Sequence, residues 1–148
     1  MTEQEVLRVA RENIEAFSQD DRERFRANLA PDAVYDEKAT GRRVQGIDQV
    51  VEISWSWRRA FPDARGTITN ALASDDTAVL EILWEGTQTG PLVTPGGELP
   101  ASGKTVRVPA VQVIRAAGGK LQEARHYFDV LGMLQQLGAI PAPAQAGR

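Results

Sequence analysis

Once its third helical stretch ends near residue 60, the chain turns to strands and makes four long ones in succession, at about 66–73, 77–89, 104–116 and 120–128. The preceding part is mostly helical. Val6, Ala10, Ile14 and Phe17 recur at helical spacing behind a Thr2/Glu5 capping-box pair, which predicts a helix over about 3–18. A second helical piece, 22–29, stops before Pro31. Ala33-Val34-Tyr35 reads as a short strand running into a polar turn over 36–46, and a third helix over 47–60 ends at Phe61-Pro62-Asp63. Helices first and strands afterwards define an α+β class, in which one antiparallel sheet packs against helices on one face. A strongly bent sheet of this kind makes a cone, whose mouth suits a small apolar ligand.

A chain of 148 residues with 42% hydrophobic content can bury one core, so a single domain over 1–140 is expected. The Pro- and Ala-rich stretch 141–148 reads as a disordered tail. The Pro/Gly loop over 90–102 is long enough for a lid or pocket rim. Net charge is −3 and the pI about 5.2, which removes the basic face of a nucleic-acid binder. Without cysteine there is no disulfide, thiolate zinc site or thiol nucleophile, and one histidine excludes a His-rich metal site. Carboxylates alone could still hold Mg or Ca. The first residues, Met1-Thr2-Glu3-Gln4-Glu5, lack the basic-then-apolar order of a secretion signal, and no apolar window approaches a membrane span. A cytoplasmic protein without membrane or nucleic-acid partners is expected.

Strand parity selects candidate site residues. In the strand from Lys104, Val106, Val108, Ala110, Gln112 and Ile114 share an uncharged face, so Gln112 is a polar group on an apolar surface. Its amide is satisfied either by neighbouring backbone or by a ligand. In the strand from Thr77, Leu80, Ile82, Trp84, Gly86 and Gln88 point inward, with Gly86 leaving room for a ring. Trp84 serves equally as plain core. In the last strand Asp129 shares parity with Tyr127, which could hydrogen-bond it, and lies between Tyr127-Phe128 and Val130-Leu131. Apolar surroundings would raise a carboxyl pKa and suit general acid/base work. Asp129 could instead cap a helix over 130–137. His126 falls on the opposite face, where a regular strand makes it a surface or subunit-contact residue unless a β-bulge intervenes. The outward set Val79, Leu83, Val111 and Val113 is more apolar than solvent requires, and a homodimer through it is expected.

Phe61-Pro62-Asp63, Trp84-Glu85-Gly86-Thr87-Gln88-Thr89-Gly90, Pro100-Ala101-Ser102-Gly103-Lys104, Gly119-Lys120-Leu121, Tyr127-Phe128-Asp129 and Gln136-Leu137-Gly138 together resemble the SnoaL-like polyketide cyclase family, over about residues 3–138. The resemblance implies the nuclear-transport-factor-2-like cone. It also implies acid/base chemistry without metal or organic cofactor, an intramolecular aldol closure on a polyketide ester, with the aspartate that ends the last strand, Asp129, as acid/base. The chain has Gly86-Thr87-Gln88 where many relatives read Gly-Thr-His, and Asn13-Ile14 in place of an aromatic pair. Tyr127-Phe128-Asp129 is also similar to limonene-epoxide-hydrolase-like enzymes, but their Arg-x-Asp partner motif reads Leu83-Trp84-Glu85 here, which disfavours epoxide opening.

The expected function is therefore a cofactor-independent tailoring enzyme for an aromatic or polycyclic polyketide-like substrate. Asp129 would move the proton, Tyr127, Gln112 and Gln88 would orient carbonyl oxygens, and Trp57, Trp84 and Phe128 would form apolar walls. A non-catalytic small-molecule binder on the same cone, or an epoxide hydrolase-, isomerase- or hydroxylation-type relative, is the alternative.

Overall fold

The computed structural model describes residues 1–141, so the expected tail from 142 onward lies outside the described residues. Helix α1 (Glu3–Ser18) begins with the anticipated capping box. The Thr2 hydroxyl accepts from Glu5 N at 3.1 Å and the Glu5 carboxylate accepts from Thr2 N at 2.8 Å. Two of the orphan donors at the helix start are thereby satisfied. Its buried stripe of Val6, Val9, Ala10, Ile14 and Phe17 faces the interior. Helix α2 (Arg22–Asn28) is capped by Asp21, and α3 (Ile47–Ala60) buries Val50, Val51, Ile53 and Trp55.

The strands are β1 (Leu29–Glu37), β2 (Arg42–Gln45), β3 (Arg65–Ser74), β4 (Thr77–Thr87), β5 (Leu92–Thr94), β6 (Gly97–Leu99), β7 (Thr105–Ala117) and β8 (Lys120–Phe128), followed by α4 (Val130–Gln136). Six of them form one sheet in the order β2-β1-β8-β7-β4-β3, while β5 and β6 make a separate hairpin within the loop after β4. Two expectations are corrected here. The sheet is mixed, because β1 runs parallel to β8. The stretch 36–46 is also more ordered than a polar turn, since β1 continues to Glu37 and the chain returns through Gly41 (φ 79°) as β2, with Glu37 opposite Arg42. The charges of this pair satisfy one another, which lets two polar residues continue a sheet that composition alone would end.

One residue alters the last strand. Gly118 and Gly119, both at positive φ, form the tight turn that pairs Ala117 with Lys120 and Ala116 with Leu121. The next pair is Arg115 with Glu123, so Gln122 is an extra residue, a β-bulge. Leu121 points inward before it, and Ala124, His126 and Phe128 do so after it. Alternation counted from Leu121 assigns the wrong face to everything beyond the bulge. On β4 and β7 no such slip occurs, and Leu80, Ile82, Val106, Val108, Gln112 and Ile114 are buried as their parity requires.

The inward strand residues and the three N-terminal helices share a core that includes Val6, Ile14, Phe17, Trp55, Leu80, Ile82, Ile114 and Leu121. A second apolar cluster at the mouth joins Phe61, Leu92, Val106, Val108, Met133 and Leu137, so α4 and the β5–β6 hairpin close the open end of the cone. Arg58, 8% exposed, fastens the helix ends by donating to the carbonyls of Phe17 (2.5 Å), Pro62 (2.7 Å) and Ala64 (2.8 Å). Val79, Leu83, Val111 and Val113 on the convex face belong to neither cluster and are only half-buried, and Leu72 and Tyr127 on the same side are exposed.

Candidate active site

The bend of the sheet leaves a cavity of about 110 Å³ between its concave face and helices α1 and α3. Its wall is largely apolar, with Tyr35, Trp57, Trp84, Gln112, His126 and Phe128 contributing aromatic rings and the polar groups discussed below. Ring packing holds the wall. Phe128 lies 4.9 Å from the His126 ring and 5.6 Å from Trp57, and Trp84 stands edge-on to Phe17 at 5.5 Å. Edge-to-face pairs at these separations add to the stabilisation from area burial alone.

A directed hydrogen-bond chain runs through this wall. The Trp84 indole can only donate, so its Nε1–H at 3.1 Å makes His126 Nε2 the acceptor and leaves the ring proton on Nδ1. His126 Nδ1–H then donates to the Tyr35 hydroxyl, 2.7 Å away, and Tyr35 in turn donates to Glu37 Oε2 at 2.8 Å. Glu37 is fully buried and accepts five bonds. Tyr35 and Trp57 Nε1 (2.8 Å) serve Oε2, while Thr40 Oγ1 (2.5 Å), Arg42 Nε (3.0 Å) and Arg42 Nη2 (2.7 Å) serve Oε1. Arg42 also lies over the Trp57 ring, 5.7 Å from its centroid. A buried carboxylate is tolerated only with such pairing.

The chain sets protonation states. Burial pushes His126 down to about 4, partly opposed by the nearby Glu37 carboxylate, so the imidazole is neutral across the physiological range. Burial, with the Glu37 charge and hydrogen bond, holds the Tyr35 hydroxyl well above its ordinary value, so it keeps its proton.

The sequence-predicted residues divide. Trp57, Trp84, Gln112 and Phe128 line the cavity. Gln88 is buried but lies outside the lining. Its Nε2 donates to the carbonyls of Gly90 (3.1 Å), Leu99 (3.4 Å) and Pro100 (3.2 Å), and its Oε1 accepts from Ser102 N (3.2 Å), which ties the hairpin loop down. Tyr127 is exposed on the convex face, and Asp129 is also exposed, as the N-cap of α4, its carboxylate accepting from Gly132 N at 2.9 Å. The expected apolar setting of Asp129 and its pairing with Tyr127 are therefore corrected, because the bulge at Gln122 turns Tyr127 outward. His126, expected at the surface, is 7% exposed and central to the cavity wall. Tyr35 and Glu37 were missed. The available signal was the inward parity of Ala33, Tyr35 and Glu37, with Arg42 as a counter-charge across a short turn. Among the described residues, no three His, Cys, Asp or Glu side chains are grouped to hold a metal, and no helix is long and apolar enough to cross a membrane.

A bent sheet wrapped on N-terminal helices around an apolar cavity defines the ketosteroid-isomerase or nuclear-transport-factor-2-like class of cone folds. Solved structures agree. A protein from Jannaschia sp. CCS1 proposed to be a SnoaL-like polyketide cyclase superposes with a TM-score of 0.83 at 24% identity, over 94% of this chain and 95% of its own. AclR from Streptomyces galilaeus, a proposed hydroxylase, gives 0.82 at 22% identity, over 97% and 87%. A Catenulispora acidiphila DSM 44928 protein of ketosteroid-isomerase-like fold, solved with trimethylamine, gives 0.74 at 19% identity, over 88% and 92%. No curated protein is similar enough in sequence to count as a relative. The family model described as SnoaL-like polyketide cyclase matches residues 7–137, and the chain belongs to that family.

Proposed function

We propose that the protein is a cofactor-independent acid/base enzyme that removes a proton α to a carbonyl on an apolar, ring-bearing substrate, the step that begins an aldol-type ring closure in natural-product tailoring. The observation that carries this reading is the chain from the cavity wall to Glu37. His126 would be the base. Its low pKa keeps Nε2 unprotonated, and the imidazolium formed on proton uptake would be held by Tyr35 with the Glu37 carboxylate behind it. This is the logic of an acid-oriented histidine with a phenol inserted between the two partners. The substrate proton would displace the Trp84 indole from Nε2, and Tyr35 would remain a proton donor throughout. The cavity is smaller than an engineered site of about 150 Å³ that holds benzene. A polycyclic substrate would therefore place only its reacting end there, with the β5–β6 loop moving to admit the rest.

The family membership supports the cyclisation reading, and the likeness to a proposed hydroxylase keeps the scaffold's chemistry broader than one reaction. Both nitrogens of His126 are occupied within the protein, which favours a second reading, a binder without chemistry. Acetophenone in D₂O separates them. An enzyme of the proposed kind exchanges the methyl protons, seen by NMR, and His126→Gln lowers that rate by about 10²- to 10⁴-fold, while Asp129→Asn changes it little. Binding of acetophenone without exchange above buffer would establish the binder. Loss of exchange in Asp129→Asn but not in His126→Gln would return the acid/base role to Asp129.

A further inference from the structure

Gln112 sits on β7 directly across from His126 on β8 and beside Leu80 on β4, at 4% exposure, and its side chain lines the cavity. Among the described residues, none donates a hydrogen bond to its Oε1. In a protein whose other buried amide side chains are tied down, as Asn13 Nδ2 is to Asn28 and Gln88 is to four backbone groups, this acceptor is an exception. A buried acceptor without a partner costs more than the average hydrogen bond contributes, and an isosteric leucine would remove that cost. Packing alone therefore gives no reason for an amide here, and a water or ligand in the cavity would supply its partner.

The lining sets the character of that occupant. Among the described residues no Arg or Lys side chain lines the cavity, Arg42 is paired with Glu37, and His126 is neutral. The one charged lining residue among those described, Glu85, is an acid bridged to Arg65 and Arg107. An anion would enter without a counter-charge and lose its hydration. The volume limits that occupant to a single ring at most.

We propose that the cavity selects a neutral, ring-sized group bearing a hydroxyl donor, a phenol or an enol, and that Gln112 is the residue that reads it. The inference rests on the cavity being the ligand site and deepens that reading by naming the ligand chemistry. A phenolic or enolic O–H donates to Oε1 while the ring packs against Trp84 and Phe128. In a proton-abstraction reaction the enol is also the form a ketone takes after losing its α-proton, so the same contact would favour the product of that step.

The test uses phenol, toluene and benzoate as probes on the whole protein, with dissociation constants from NMR titration at pH 7. Toluene has the size of phenol without the donor. The ratio of phenol to toluene affinity in the wild type, divided by that ratio in Gln112→Leu, should be roughly 5- to 100-fold, and benzoate should bind most weakly. Gln112→Met, which keeps length and loses the acceptor, should behave like Gln112→Leu. Both variants should be no less stable than the wild type to urea. An unchanged ratio in folded Gln112→Leu and Gln112→Met, or benzoate binding as well as phenol, overturns the inference while leaving the cavity as a ligand site. Failure of all three probes to bind, toluene included, overturns the inference and the ligand-site reading together.

Discussion

Lowering the pH should destabilise this protein through its single histidine by an amount the structure sets. His126 is neutral in the fold, at about 4, whereas an unperturbed histidine titrates near 6.5. The unfolded chain therefore takes up a proton between those values while the folded chain does not. The contribution is fully present above about pH 6.5 and is lost as pH falls through the folded value near 4. Over that window of roughly 2.5 units, at about 1.4 kcal/mol per unit, the loss is about 3 kcal/mol. That is a large fraction of a typical domain's 5 to 15 kcal/mol. Carboxylates titrate in the same range, so the measurement is a difference. Urea unfolding of wild type and His126→Gln at pH 7, 6, 5 and 4.5 should give a stability gap that shrinks with falling pH by about 1.4 kcal/mol per unit below 6.5. Because there is one histidine, its ring proton NMR signals can be followed without ambiguity and should not shift until well below pH 6. Parallel stability curves, or a ring that titrates near 6.5 in the folded protein, would refute the buried chain from Trp84 to Glu37.

Glu37→Leu removes the acceptor for Tyr35, Trp57, Thr40 and Arg42 together, and should destabilise by about 3 kcal/mol or more in urea unfolding. A loss under about 1 kcal/mol would mean the donors find other partners. At Asp129, alanine should cost about 1 kcal/mol and asparagine almost nothing, because asparagine caps a helix as well as aspartate does, and equal losses would contradict the capping role. We further propose a homodimer through the convex face, where Leu72, Val79 and Val113 lie in register across three strands with Glu81 and Val111 beside them. Light scattering at micromolar concentration should give twice 16.2 kDa, and Val111→Arg should halve it. A monomeric wild type would exclude this assembly.

Regular periodicity was readable in the sequence, and local compensation was not. The boundaries of α3 and β8 follow from Gly and Pro punctuation, and β4 and β7 keep strict alternation, so Trp84 and Gln112 were placed on the correct face. The chain around Glu37 was lost because its polar residues resemble a turn in isolation. They become a strand only when Arg42 returns beside Glu37 and β8 supplies His126 to Tyr35, both contacts between segments. The parallel pairing of β1 with β8 has the same origin, since no local pattern in either strand specifies its partner's direction.

The assignment of faces on β8 depends on one residue. Tyr127-Phe128-Asp129 and His126 are adjacent in sequence, and either His126 or Tyr127 turns toward the cavity according to whether Gln122 is counted in the pairing. The tight Gly118-Gly119 turn fixes the first two pairs, so the register of the strand's start cannot slide to absorb the extra residue, and the offset passes to everything after it. His126 is drawn inside, where Trp84 and Tyr35 satisfy both its nitrogens, and Asp129 reaches the surface at the helix start where its carboxylate meets Gly132 N. Without the bulge, Arg125 and Tyr127 would turn toward the cavity, His126 and Phe128 would leave its wall, and the imidazole would lose its partners. Packing and hydrogen bonding thus favour the same bulged register, which is why a rule based on alternation puts His126 and Tyr127 on the wrong faces of this strand.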